Sequence, residues 1–341
     1  MMIIRPIEPG DLPALERLVD GTGIGLTSLP RDRATLAQRI EHSQRSFARA
    51  PAEADEREER LYFFVLEEST SGRIVGTTAI KAGIGLSEPY YSYRLSTVVH
   101  ASRELGVYKS IPTLYLTNDY TGCAEIGSLY LDPEYRGGGN GRLLSKCRFL
   151  FFAEFIERFA PKVVAEMRGV SDELGRSPFW DCLGRHFFSM EFPRADYLTG
   201  TRGKTFIAEL MPRNPIYVPL LRPEAQAVIG RVHDHTRAAL SLLQEEGFHY
   251  EGYVDIFDGG PTLEARVAQI RSVRYSECLQ ARIAEVTENA PRLLISNRHW
   301  QEFRCTLAPA ERHDSELRID ASIARGLGIE SGERVRVVSP K

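Results

Sequence analysis

Arg136-Gly137-Gly138-Gly139-Asn140-Gly141 constrains the fold of this chain more than any other stretch. Alternating residues over 124–131 predict a strand directly before it, and the run from Arg142 to about residue 159 predicts a helix after it. A strand that passes through glycines into a helix gathers backbone N–H groups and the positive end of the helix dipole at one point. That suits an anion, phosphate above all. Glycine there lets the backbone approach a ligand closely and take positive φ. The spacing narrows the ligand. It lacks the Lys-Ser/Thr ending of a nucleotide P-loop, and it lacks G-x-G-x-x-G with a following ribose-binding acid. An ordinary glycine-rich turn is the opposing reading, and the six residues alone do not separate the two.

The bulk numbers exclude several classes. Of 341 residues 43% are hydrophobic and 26% charged, the profile of a soluble globular protein of two or three domains. Lys and Arg total 43 against 46 Asp and Glu, a net charge of −3, so there is no electrostatic footprint for nucleic acid. Cys123, Cys147, Cys182, Cys278 and Cys305 form no C-x-x-C pair and read as reduced thiols. The first residues lack the basic start and apolar core of a signal peptide. The longest apolar stretch, 149–156, contains Glu154 and is too short to span a bilayer. A cytoplasmic protein with neither membrane nor nucleic acid as partner is the expectation.

Periodicity predicts a strand at 2–7 and helices at 12–19 and 32–47. A loop covers 21–30, and a solvated charge-rich stretch covers 49–60. A hairpin at 61–67 and 73–82 follows, with further strands at 90–100 and 113–117. After the glycine turn come a strand at 162–168, a short helix from Ser177 ending near Gly184, and strands at 186–192 and 204–211. A second cycle has helices at 224–229 and 236–246 and a strand at 250–257, which hints at a degenerate copy of one half. The tail is strand-rich over 293–307 and 317–338. This order predicts an α/β (α+β) fold with a mixed central sheet flanked by helices and a small β-rich C-terminal module.

Longer strings go beyond pattern. They include GLTSLP at 25–30, SLYLDPEYRGGGNGRLLSKCRF at 128–149, VVAEMRG at 163–169, SPFW at 177–180 and FIAELMP at 206–212. PIYVPLL at 215–221, AQAVIGRVH at 225–233 and DIFDGGPTLEA at 255–265 complete the set. With the Arg-x-x-Gly-x-Gly spacing, the chain resembles the arginine N-succinyltransferase family of GNAT-type acyl-CoA N-acyltransferases. The resemblance thins only at 48–60 and after about residue 275. It implies a GNAT-type acyl-CoA-binding domain at 1–212, a second GNAT-like half at 213–275 and the β-rich module at 276–341. It also implies transfer of succinyl from succinyl-CoA, a co-substrate rather than a bound cofactor, to the α-amine of L-arginine. Arg136, Gly137, Gly138, Gly139, Asn140 and Gly141 would hold the diphosphate, Leu129 would contact the thioester through its main chain, and His233 would donate a proton to the leaving thiolate. Assembly as a homo-oligomer, or with a paralogous subunit, is implied too. Some paralogues lack the glycine signature, and its retention here favours a catalytic subunit.

Chemistry adds candidates. A carboxylate is the natural forked partner of a guanidinium, which singles out Glu125 and Glu166 on central strands and Asp255, Asp258 and Glu264 in D-I-F-D-G-G-P-T-L-E. Glu125 and Glu166 each have a structural alternative, an ion pair within the core. Arg94 or Arg168 would suit a substrate carboxylate. Many GNAT enzymes protonate sulfur with a tyrosine at a position that falls here on Trp180, which cannot act. His233-Asp234-His235 lacks a third ligand, so no metal is assigned. Two alternatives stay open: an N-acyltransferase for ornithine or another acyl-CoA, and a non-catalytic partner subunit.

Overall fold

The computed structural model describes residues 1–21, 28–49, 58–202, 210–287 and 289–341. The loop expected at 21–30, the charged stretch at 49–60 and the strand at 204–211 lie partly outside the described residues. The first half supplies β1 (Met2–Pro6), α1 (Leu12–Asp20), α2 (Arg33–Ala48), β2 (Arg60–Glu68), β3 (Arg73–Ala82), β4 (Ser92–Ser102), β5 (Val107–Thr117), β6 (Ala124–Leu131), α3 (Asn140–Glu154) and β7 (Lys162–Glu166). β8 (Ile216–Tyr217), β9 (His249–Val254) and β10 (Pro261–Arg266) follow. The tail supplies β11 (Glu277–Ile283), β12 (Arg292–Ser296), β13 (Cys305–Pro309), β14 (Glu311–His313), β15 (Glu316–Ile319) and β16 (Arg334–Val338).

These strands form one mixed sheet in the order β14-β15-β11-β16-β12-β13-β1-β2-β3-β6-β7-β10-β9-β4-β5-β8. The C-terminal module is therefore joined to the rest through antiparallel pairing of β13 with β1. Its stretch 317–338 also contains a helix, Ala321–Leu327, which buries Ile323, Ala324 and Leu327.

Helices on both faces explain why β2 is apolar from Leu61 to Leu66. Leu61, Phe63 and Val65 pack against α1 and α2, while Tyr62, Phe64 and Leu66 pack against α3. Asp32 caps α2 by accepting the Thr35 N–H at 2.7 Å. α3 runs back over the sheet, opposite in direction to β6. Leu144 lies against Gly76, which pairs with Leu131. Phe151 meets Tyr62 and Phe64, whose β3 partners are Ile80 and Thr78, level with 126–128 of β6.

Two expectations fail. Residues 186–192 are not a strand: helices Gly184–Phe188 and Phe192–Arg202 occupy this region. α3 also ends at Glu154, and a 3-10 turn, Ile156–Arg158, replaces its expected last turn. In the first case Phe188, Phe192 and Ala195 bury together on Trp180, a helical spacing that a short apolar run cannot distinguish from a strand. No helix among the described residues is long and apolar enough to cross a membrane.

A fully buried ion pair, beside more exposed ones to Glu245, ties α3 to Glu246. Lys146 Nζ lies 2.8 Å from Glu246 Oε1, and both side chains are fully buried. Glu246 also accepts from Ser272 N and Oγ at 2.7 and 2.8 Å, and Lys146 donates to Pro340 O at 3.0 Å. Removing one member of such a pair strands the other, at about 3–5 kcal/mol. Urea unfolding of Glu246→Ala is expected to show a loss of that size in the first transition, and a loss under about 1 kcal/mol would contradict the role given to this pair.

Candidate active site

β6 and β7 are parallel neighbours that pair only at Ala124 with Val163 and at Glu125 with Val164. Beyond that point they part. Against β3, the register of β6 passes from Gly127 opposite Ala79 to Tyr130 opposite Thr77, so Ser128 and Leu129 both face Thr78. This is a β-bulge, and it bends the strand. Ser128 takes the left-handed conformation with φ 52°, unusual for a residue with a side chain. Thr77 Oγ1 holds it there by donating to Ser128 O at 2.8 Å. The opened wedge is a cavity of about 280 Å³, with Gly127, Ser128 and Leu129 on one wall and Ala165, Glu166 and Met167 on the other.

The glycine turn lies where β6 leaves the wedge. Gly137, Gly138 and Gly139 have φ of 107°, 57° and 87°. Among the described residues their three N–H groups have no acceptor, and Gly139 is the N-cap of α3. Asn140 braces the turn, donating from Nδ2 to Tyr135 O at 2.9 Å and from its backbone to Gly137 O at 3.1 Å. Arg136 is exposed beside it. The C-terminal module supports the turn from behind. Arg292 donates to Gly138 O at 2.7 Å and to Leu307 O at 2.9 Å. A Cβ on Gly139 would sit 2.5 Å from the Leu307 side chain, whereas one on Gly137 or Gly138 would meet nothing within 4 Å. The turn is closed toward the protein and open on its other side.

Charged side chains line the wedge. Glu125 is buried, 2.8 Å from Lys81 Nζ and within the field of Arg39. Glu166 lies in the wall, and its charge, after burial, raises the Tyr90 phenol above its usual range. Asp255 Oδ1 accepts the N–H groups of Phe257 and Asp258 at 2.7 and 2.9 Å. Asp258 accepts from Gly169 N at 2.7 Å and Gly260 N at 2.8 Å, and burial nevertheless pushes its carboxyl up to about 6. Both aspartates line the cavity while also holding the 255–260 loop. Glu264 faces elsewhere, bound to Lys162 at 2.7 Å and the Tyr120 hydroxyl at 2.8 Å. Arg94 stands away from the wedge over the Tyr253 ring, whereas Arg168 lines it. Trp180 is core, its indole N–H on Met190 O at 2.9 Å.

His233 is half-buried and is not among the residues that line the cavity, although Thr236, three residues on, is. Its backbone N–H donates to Arg168 O at 2.8 Å, and its Nδ1 accepts the His235 N–H at 3.1 Å. That bond leaves the neutral ring with its proton on Nε2. Burial first, then the charges of Arg168 and His235, lower its pKa. Arg39, Lys81, Arg148 and Asp196 also line the cavity, and the sequence reading missed them. The signal for Arg148 was present: two cations, Lys146 and Arg148, interrupt an otherwise apolar stretch of α3.

Comparison with known proteins places this architecture. The family model described as arginine N-succinyltransferase beta subunit matches residues 2–272, and its C-terminal domain model matches 278–339. The chain is 48% identical over 346 residues to the arginine N-succinyltransferase of Yersinia pseudotuberculosis serotype O:3, covering 99% of this chain and 98% of that one. It is 50% identical over 344 residues to that of Enterobacter sp. strain 638, covering 99% and 97%. The structure of arginine/ornithine succinyltransferase subunit AI from Pseudomonas aeruginosa superposes with a TM-score of 0.92 at 39% identity, over 100% of this chain and 99% of that one.

A lowered histidine pKa has a definite sign. Below 6.5 the unfolded chain binds the proton before the fold does, so the stability His233 contributes declines as pH falls below that value. NMR titration of the assigned His233 ring is expected to show a midpoint under 6.5 and the Nε2–H tautomer above it. A midpoint above 6.5, or an Nδ1–H tautomer, would contradict the cap geometry.

Proposed function

This chain belongs to the arginine N-succinyltransferase family and is an acyltransferase, and from that premise we propose that it moves succinyl from succinyl-CoA to the α-amine of L-arginine. One observation carries this reading. Three glycine amides with no acceptor among the described residues follow the strand whose bulge forms one wall of the wedge. In this reading Gly137 to Gly141 and Arg136 hold the diphosphate, the role given earlier to Asn140 being played by its backbone. The pantetheine arm enters the wedge, and the main chain at Leu129 polarises the thioester carbonyl.

The acceptor's guanidinium takes the acidic wall formed by Glu166, Asp255 and Asp258. The ammonium loses one proton to water, and the free amine attacks the carbonyl. As the adduct collapses, the C–S bond breaks and the nitrogen sheds its second proton. His233 Nε2 donates a proton to the sulfur, and the proton leaving nitrogen replaces it, so the turnover ends with neutral imidazole, amide and thiol. The division at about residues 212 and 275, assembly with a second copy or a paralogous subunit, and a cytoplasmic setting belong to the same proposal. Ornithine is the second acceptor to consider, since the Pseudomonas relative is an arginine/ornithine succinyltransferase subunit.

Steady-state rates with succinyl-CoA and acetyl-CoA, each against arginine and ornithine, test the assignment. Succinyl-CoA with arginine is expected to give the highest kcat/KM, and acetyl-CoA with a non-guanidino amine as the best pair would contradict it. His233→Ala is expected to lower kcat about 100-fold or more with the CoA Kd little changed. Wild-type turnover in that variant would leave His233 only its cap. Gly138→Asp keeps a backbone conformation that Asp tolerates and meets no neighbour, yet adds negative charge to the cradle. Its CoA Kd is expected to rise more than about 10-fold relative to Gly138→Asn, with melting unchanged. Equal affinities would contradict the cradle.

A further inference from the structure

Three arginines line the wedge, and two have acids acting on them. Arg39 feels Glu125, and its Nη2 donates to Ser128 Oγ at the bulge at 3.3 Å. Arg168 feels Asp258 and Asp196, and its Nη2 donates to Ser171 Oγ at 2.9 Å. Arg148 differs. It is 2% exposed, and among the described residues no carboxylate pairs with it. Its Nε donates to Ser145 O at 2.9 Å and its Nη2 to Ser145 Oγ at 3.1 Å. The guanidinium is thus held in a fixed orientation on neutral partners, beside a cavity. A buried cation without a counter-ion is costly, and a buried hydrophobic residue of similar volume would be cheaper for the fold alone. Burial accordingly drags its pKa down to about 10. The site is complete as a charge pair only when an anion arrives.

The position of Arg148 on α3 says which anion. The helix begins at the cradle and runs back over β6, so Arg148, between Leu144 at the level of Leu131 and Phe151 at the level of 126–128, lies near the depth of the bulge. From Gly139 to Arg148 is roughly 14 Å of helix, a length that an extended pantetheine arm spans. A thioester carbonyl at Leu129 therefore places the far end of its acyl chain in the neighbourhood of Arg148. The acceptor side of the wedge carries Glu166 and Asp258 instead.

We propose that Arg148 is the receptor for the distal carboxylate of the acyl group, so that this cavity selects a dicarboxylic acyl-CoA over one of equal length ending in methyl. The planar fork of the guanidinium matches a carboxylate, and its burial from water strengthens the contact. The inference rests on the acyl-transfer reading above and adds the determinant of its acyl specificity.

Succinyl-CoA and butyryl-CoA share a four-carbon chain and differ in the terminal carboxylate, so they isolate the contact. Their kcat/KM values are to be compared in the wild type and in Arg148→Met at saturating arginine, together with the arginine KM. The wild type is expected to prefer succinyl-CoA about 100-fold, and Arg148→Met to abolish that preference through loss of the succinyl rate, with butyryl transfer and arginine KM unchanged. A preference retained in Arg148→Met overturns the proposal. So does an equal loss for both thioesters with a raised arginine KM, which would assign the arginine to the acceptor's carboxylate. Should Arg148→Met fail to fold, Arg148→Lys and Arg148→Gln carry the same comparison: Lys is expected to keep the preference and Gln to lose it. Wild-type protein that transfers butyryl as fast as succinyl overturns the receptor but leaves acyl transfer standing. Wild-type protein that transfers neither group to arginine overturns the functional reading itself.

Discussion

Two neighbouring strands that begin in register and then separate set the terms for everything else in this molecule. β6 and β7 share two paired positions before the bulge at Ser128 and Leu129 carries β6 away. Separation of buried strands leaves polar backbone without partners, which a core does not tolerate unless something replaces them. Here the replacement is local: Thr77 takes the Ser128 carbonyl, Arg39 reaches its hydroxyl, and charged side chains fill the gap. A left-handed serine costs of order 1–3 kcal/mol, and strain of that kind persists only where the surrounding structure over-determines it. The surrounding structure is the sheet on one side and α3 on the other, both anchored by the apolar cluster around Phe64 and Phe151.

The glycine turn depends on a different part of the chain. Its open side belongs to the 137–139 segment, but its shape is held by Arg292 and Leu307 from the C-terminal module. The carboxyl end makes a further connection, with Pro340 O accepting from Arg142 and Lys146 of α3. The tail thus braces the glycine turn and the first two turns of the helix behind it. This contact gives the module a structural purpose that its own strands do not reveal. Within α3 three cations have different standing: half-buried Arg142 beside Glu245, Lys146 paired with Glu246, and Arg148 with no acid among the described residues.

Much of this was readable from residues. The strand at Ala124–Leu131, the turn, and a helix following it appear where spacing placed them, because glycines at consecutive positions have few other uses between a strand and a helix. Leu129 stands at the bulge. What escaped was whatever depends on contacts distant in sequence. Residues 186–192, which fall at the end of helix Gly184–Phe188 and the start of helix Phe192–Arg202, were read as a strand because their apolar run is too short to show a period until Trp180 is seen beneath it. Asp255 and Asp258 are acids of the kind expected, but their oxygens hold backbone amides, a use visible only in three dimensions. Arg39 and Arg148 enter the cavity from helices on opposite faces of the sheet, a convergence no linear pattern encodes.

The account stands or falls on where coenzyme A lies. A crystal structure of the protein grown with CoA tests this most directly. It should show the diphosphate accepting from the amides between Gly137 and Gly141, with the pantetheine arm descending between β6 and β7 to the bulge at Leu129. A diphosphate bound on any other surface, or an arm that bypasses the gap between those strands, would contradict it.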